Sequence, residues 1–335
     1  MSNHYHIYGI GAALVDTEIT VSDADLAAMS VDKGVMTLVE EDRQQQLIAY
    51  LSDHLVASQK ASGGSGANTI IAAGYFGCKN FYSCKVADDE LGHFYLHDIQ
   101  VAGVDYPENA GTEPGITGKC LVMITPDAER TMNTFLGISA TLSVDELDHH
   151  AIAVADYVYI EGYLVSSDTG RAAAIALKQL AERNNTLTAL SLSDPAMVKF
   201  FGQGLAEMIG DGVDILFCNR DEALGYTDTA NLEQAAAKLG DIARMRVITL
   251  GAEGALIIDG EQQYNIAPCP TQAIDTNGAG DMFAGAFLYA LSQGHSIPQA
   301  GDFACLAAAK VVSQYGPRLL PEQHQQLVQD FLGRK

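Results

Sequence analysis

Basic side chains are scarce in this chain. Its 335 residues hold 19 Lys and Arg against 42 Asp and Glu, a formal net charge of −23. Duplex nucleic acid is bound by clustered Lys and Arg, and anionic membrane surfaces by polybasic segments, so this balance argues against both as partners. Long apolar runs are also missing. None reaches the roughly 18 residues of a membrane-spanning helix, so no span is expected. The opening residues lack a basic segment followed by an apolar one, which leads us to expect no secretory leader and a cytoplasmic location. The six cysteines, Cys78, Cys84, Cys120, Cys218, Cys269 and Cys305, form no C-x-x-C pair and are expected as reduced thiols in the core. There is no internal repeat, low-complexity linker or long charge block. Hydrophobic residues at 48% and charged residues at 18% are those of a folded chain with an ample core. A phosphate-bearing ligand stays open, because backbone N–H groups and a metal ion can hold phosphate without basic side chains.

Strand-like and helix-like segments alternate. Residues 5–10, 80–86, 157–161, 187–192, 213–218 and 246–250 read as strands. Residues 42–60, 65–76, 89–102, 168–184, 278–294, 297–315 and 321–332 read as helices, and 254–266 as a hairpin. Such alternation implies an α/β fold with a mainly parallel sheet covered on both faces. Two stretches, 15–39 and 107–133, break it with short alternating segments rich in turn residues. They are expected to form a small β appendage, leaving 1–14, 40–106 and 134–335 as the large unit.

Several glycine motifs compete for attention. Gly9-Ile10-Gly11-Ala12-Ala13-Leu14 lacks the third glycine and the following helix of a dinucleotide site. Gly115 to Cys120 imitates a phosphate loop, but Lys119 opens a strand and Cys120 stands where a hydroxyl would bind Mg²⁺. Gly63-Gly64-Ser65-Gly66-Ala67-Asn68 opens an uncharged helix, where a ligand can approach the backbone and Asn68 can meet a hydroxyl. Asp275-Thr276-Asn277-Gly278-Ala279-Gly280-Asp281 is the most informative. Gly278, Ala279 and Gly280 can line an anion site with their N–H groups, and Asp281 sits in the first turn of an almost wholly apolar helix. A carboxylate beside an anion hole suits deprotonation of an alcohol that attacks a phosphoryl group. Asn219 and Glu222, three residues apart after a strand, read by themselves first as a capping box and second as holders of a hydrated Mg²⁺. Thr249, Gly251 and Gly254 form either a plain turn or a backbone contact for a nucleotide. His93 and His97 have helical spacing but no third metal ligand, so they are expected on a helix face.

The pair Gly63 to Asn68 and Asp275 to Asp281, with Asn219 and Glu222 as N-x-x-E, resembles the ribokinase-like (PfkB) carbohydrate and nucleoside kinase family over essentially the whole chain. Leu14-Val15-Asp16, Gly34 to Val39, Thr125 to Met132, Glu161-Gly162-Tyr163, Leu192-Ser193-Asp194 and Gly316-Pro317-Arg318 look most like its adenosine-kinase-like branch. The resemblance implies a ribokinase-like three-layer α/β/α sandwich with a small β-sheet lid. It also implies transfer of phosphate from ATP, with Mg²⁺, to the 5′-hydroxyl of a purine nucleoside. A sugar kinase of ribose or fructose type is the alternative, and a non-catalytic nucleotide sensor a more distant one. Asp281 would be the base, Gly278, Ala279 and Gly280 the anion hole, and Arg130 a phosphate contact arriving from the lid. Asp16, Gly63, Gly64 and Asn68 would hold ribose, between walls of Met36, Phe135 and Tyr163. Thr249, Gly251, Gly254 and Asn219 would lie along ATP, Glu222 and Asn219 would organise Mg²⁺ through water, and Asp275 would border a K⁺ site. Asn277 and Leu250 depart from the Thr and Arg usual in the family. The chain would be a monomer or a lid-mediated homodimer.

Overall fold

The computed structural model describes residues 4–52, 59–127 and 129–332. Part of the expected helix 42–60 and Ala128 of the 125–132 segment therefore lie outside the described residues. In chain order the strands are β1 (Tyr5–Ile10), β2 (Leu14–Thr20), β3 (Met36–Leu38), β4 (Gln59–Gly63), β5 (Asn80–Ser83), β6 (Val104–Asp105), β7 (Gly118–Ile124), β8 (Arg130–Phe135), β9 (Ala155–Glu161), β10 (Leu187–Ser191), β11 (Val213–Asn219), β12 (Ala243–Thr249), β13 (Ala255–Asp259) and β14 (Gln262–Ile266). The helices are α1 (Asp23–Ala28), α2 (Glu41–Tyr50), α3 (Ser65–Phe76), α4 (Glu90–Val101), α5 (His149–Ala153), α6 (Asp168–Asn184), α7 (Pro195–Ile209), α8 (Arg220–Thr227), α9 (Leu232–Leu239), α10 (Ala279–Ser292), α11 (Ile297–Val311) and α12 (Pro321–Leu332).

Nine strands form one sheet in the order β14-β13-β12-β11-β10-β9-β1-β5-β6. All pairs from β12 to β6 are parallel, and at the other edge β13 runs antiparallel to both its neighbours, β12 and β14. The strands are apolar on both faces, as a sheet covered twice requires. In β9, Tyr159 joins the core under α3, α4, α10 and α11, while Val158 and Ile160 join the core under α5 to α9. This is the expected three-layer sandwich. Successive strands leave β1 in opposite directions, toward β5 on one side and β9 on the other, which makes a topological switch point. Open α/β sheets bind ligands at the carboxyl ends of strands beside such a point.

A second sheet, ordered β3-β8-β7-β2-β4, stands over that edge. Its outer face packs Ile19, Leu121 and Met123 against Leu26 of α1 and Leu47 of α2. Its inner face presents Leu14, Cys120, Val122 and Ile124. The helix expected over 42–60 ends at Tyr50, and Gln59–Gly63 is a strand paired antiparallel with β2. Ser22 caps a short helix inside the 15–39 stretch, where no helix was expected; its hydroxyl and Asp25 close a capping box. Accordingly we propose that the lid unit takes in residues 41–50 and 59–63 as well as 14–38 and 118–135, beyond the boundaries read from the sequence.

Candidate active site

Two cavities meet at the N-terminus of α10. The first, about 750 Å³ including its mouth, lies between the inner face of the small sheet and the ends of β1 and β9. Strand alternation decides which lid residues face it. Leu14 and Asp16 come from β2, Met36 and Leu38 from β3, and Arg130, Met132 and Thr134 from β8, each set two residues apart. Phe135 therefore points the other way and does not line the cavity, which corrects its expected place as a wall. Leu136, just past the strand end, lines it instead, and Met36 and Tyr163 are where the sequence placed them.

The polar end of this cavity gathers carboxyl groups. Asp281 accepts from Ser65 Oγ at 2.6 Å and from Asn68 Nδ2 at 3.2 Å. Burial raises its pKa above the ordinary carboxylate range, and these two hydrogen bonds oppose the rise. Asn68 Oδ1 is buried without a protein partner, leaving an acceptor for a hydroxyl at the cavity wall. Asp16 is buried, and burial followed by the charge of Glu18 pushes its pKa to about 8. Gly63 lies directly against the Asp16 carboxyl, where any side chain would collide with it. Gly64 has φ 93°, and a Cβ there would strike the carbonyl of Ala12, so only glycine lets the chain turn into α3 at this approach.

The second cavity, about 1260 Å³ with its mouth, is lined by Thr249, Gly251 and Gly254 after β12, by Ala279 and Gly280 of α10, and by apolar groups such as Phe283, Ala308 and Val312. Gly278 caps α10 at φ 72°, packed against Pro317. The helix thus turns Asp281 toward one cavity and the N–H-bearing Ala279–Gly280 segment toward the other. A Cβ on Gly280 would meet no protein atom, so the space beside it is free for a ligand. Helix N-termini favour anions there.

Asn219 and Glu222 form a complete capping box. Glu222 accepts from Asn219 N at 3.0 Å and Nδ2 at 2.6 Å, and Asn219 Oδ1 accepts from Glu222 N at 2.8 Å. Burial raises the Glu222 pKa to about 7. Neither residue lines either cavity, although Asn219 pairs in register with Thr249, which does. Asp275 is fully buried; its carboxylate accepts from Asn277 N and Gly316 N, both at 2.9 Å, clipping two loops together. Among the described residues no three His, Cys, Asp or Glu side chains group as a metal site.

A model of pfkB family carbohydrate kinases matches residues 28–324. The chain belongs to that family. The adenosine kinase of Saccharomyces cerevisiae is 28% identical over 92% of this chain and 95% of its own. The solved adenosine kinase of Sinorhizobium meliloti superposes with a TM-score of 0.90 at 31% identity, covering 96% of this chain and 99% of that one. A probable sugar kinase from Rhizobium etli also reaches a TM-score of 0.90 at 31% identity, covering 97% and 99%. This kinase is accordingly a phosphotransferase of the nucleoside and sugar kinase group.

One residue of this kinase's site was cited in the sequence only as part of a motif. Glu161, fully buried at the end of β9, accepts from Ala12 N at 2.6 Å and Gly66 N at 3.0 Å and lines the first cavity. Burial raises its pKa to about 7, against the pull of those N–H groups. It joins the turn after β1 to the first turn of α3. Apart from that motif, its sequence signal is an acid closing an apolar strand.

Proposed function

We propose that this kinase transfers the γ-phosphoryl group of ATP to the 5′-hydroxyl of a purine nucleoside, adenosine foremost. The observation that carries the reading is the division of the first cavity. One wall is apolar, made by Leu14, Met36, Leu38, Met132 and Leu136, and suits a flat base; the other end holds Asp16, Asn68 and Asp281 and suits ribose hydroxyls. A free pentose would leave the apolar wall without a partner. The adenosine kinases among the relatives support the same choice.

In this scheme Asp16 and Asn68 hold the ribose and aim its 5′-oxygen between Asp281 and the second cavity. Asp281 takes the hydroxyl proton as the oxygen–phosphorus bond forms and the bond from the γ-phosphorus to the bridging oxygen breaks, releasing ADP. The N–H groups at Gly278–Gly280 and the α10 dipole stabilise charge on the transferring group. Arg130 adds a cation from the lid. Glu222 has both carboxylate oxygens committed to Asn219, so a Mg²⁺ arriving with ATP would be held by Asn219 and Glu222 through water and not in a preformed cage. That ion would neutralise phosphate charge in a cavity without basic side chains.

Thermal unfolding in the presence of adenosine, inosine, ribose or fructose tests the acceptor. Adenosine should raise the midpoint most. Stronger stabilisation by ribose than by adenosine would overturn the nucleoside reading and leave a sugar kinase.

A further inference from the structure

Asn277 stands where the lid meets the anion-binding loop. It is buried, and its N–H is tied to the buried Asp275. Its carboxamide lies between two lid side chains of opposite charge. Oδ1 accepts from Arg130 Nη1 at 2.8 Å, and Nδ2 faces Glu18 Oε1 at 3.5 Å. Arg130 is on β8 and Glu18 on β2, the two strands flanking β7. Among the described residues Arg130 makes no ion pair, although Glu18 lies just across the amide.

We propose that Asn277 is a positioning residue that holds the Arg130 guanidinium toward the phosphoryl path and keeps it from pairing with Glu18. The inference rests on the reading of Arg130 as a phosphate contact. A guanidinium can bind a carboxylate or a phosphate through two parallel hydrogen bonds and gains the attraction of opposite charges, neither of which a neutral amide oxygen supplies. A phosphate oxygen therefore displaces a neutral amide from the guanidinium readily. It displaces a carboxylate less readily, because the ion pair must first be broken. Glu18 is partly enclosed, and burial followed by the charge of Asp275 raises its pKa to about 7 even with Arg318 near it, a setting in which a second guanidinium would be a welcome partner. The amide supplies orientation without a competing charge, and Asp275 fixes it by holding its backbone.

Steady-state kinetics on Arg130→Ala, Asn277→Ala, Glu18→Gln and the Asn277→Ala/Glu18→Gln pair test this. Arg130→Ala should lower kcat about a hundredfold. Asn277→Ala should lower kcat about tenfold with the acceptor KM within about twofold, since Arg130 turns to Glu18. Adding Glu18→Gln should bring kcat back to within about threefold of the Glu18→Gln protein. Asn277→Asp keeps the side-chain shape, and so remains informative if the alanine variant fails to fold. It places a carboxylate on Arg130 and should lower kcat about tenfold with no rescue by Glu18→Gln. Failure of Glu18→Gln to rescue Asn277→Ala, a loss confined to KM, or full activity of Asn277→Asp overturns the role of Asn277 while leaving Arg130 in place. An unchanged kcat in Arg130→Ala overturns the phosphate reading of Arg130 itself, and the role of Asn277 with it.

Discussion

The two cavities that share the start of α10 differ in charge and in origin. The first draws its lining from residues 12 to 281 and carries the carboxyl groups of Asp16, Glu161 and Asp281 with the one guanidinium of Arg130. The second is lined only by residues 249 to 312, and none of them is charged. All of its lining except Val312 falls within 247–309, a stretch that has no Lys or Arg at all. In the proposed reaction, ionisable groups stand where a proton would be moved. Where phosphate would be held, the chain offers N–H groups, a helix end and space. The overall acidity is compatible with the proposed phosphate handling because the second cavity offers backbone N–H groups and a helix end, and the one guanidinium, that of Arg130, comes from the first.

The sharpest way to break this contrast is to remove the proton acceptor. Asp281→Asn should lower kcat by about 10³-fold or more while both ligands still bind, measured by calorimetry beside turnover. Retained turnover would remove Asp281 as the base. Disturbing the anion hole comes next. Gly278→Ala forces a side chain into a left-handed backbone against Pro317, and should lower kcat about a hundredfold and also lower the melting temperature. Acceptor contacts follow. Asp16→Asn should raise the nucleoside KM about tenfold or more with the ATP KM unchanged, because only the first cavity is touched.

The pH response separates the cavities in another way. The folded pKa values of Asp16 (about 8) and of Glu161 and Glu222 (about 7) lie above those of exposed carboxyls. The folded state therefore holds protons that the unfolded chain has released. Stability from these groups is present at low pH and is lost as pH rises from about 5 to 8. The melting temperature without ligand should fall over that interval, and Asp16→Asn should flatten the fall. Activity should move the other way, rising as Asp281 loses its proton. The smallest effect concerns strand alternation. Met132→Ala should raise the nucleoside KM several-fold, up to about tenfold, whereas Phe135→Ala should leave it within about twofold.

Much of this was legible in the chain itself. The alternation of strands and helices gave the sandwich, and Asp281 stood out because a buried helix seldom carries an acid in its first turn without a task. Asp16, Gly64 and Asn68, far apart from Asp281 in the chain, line one cavity with it. What local pattern could not show was pairing at a distance. Residues 59 and 60 read as the end of a helix over 42–60, yet Gln59–Gly63 is a strand paired with β2. Phe135 was placed by position, and only the register of β8 reveals that Met132 and Thr134 face the cavity. Asn219 and Glu222 bind each other as a capping box, the reading their spacing first suggested. The contacts of Glu161 and the contact between Arg130 and Asn277 join segments 95 to 149 residues apart, which spacing alone does not bring together.

The most direct test of the central claim compares acceptors in the same assay. With ATP and Mg²⁺ in excess, kcat/KM for adenosine should exceed that for ribose at least about a hundredfold, since the base fills the apolar wall that ribose leaves empty. AMP should be the product, with phosphate on the 5′-oxygen. A kcat/KM for ribose equal to or above that for adenosine would contradict the assignment of the first cavity to a purine nucleoside.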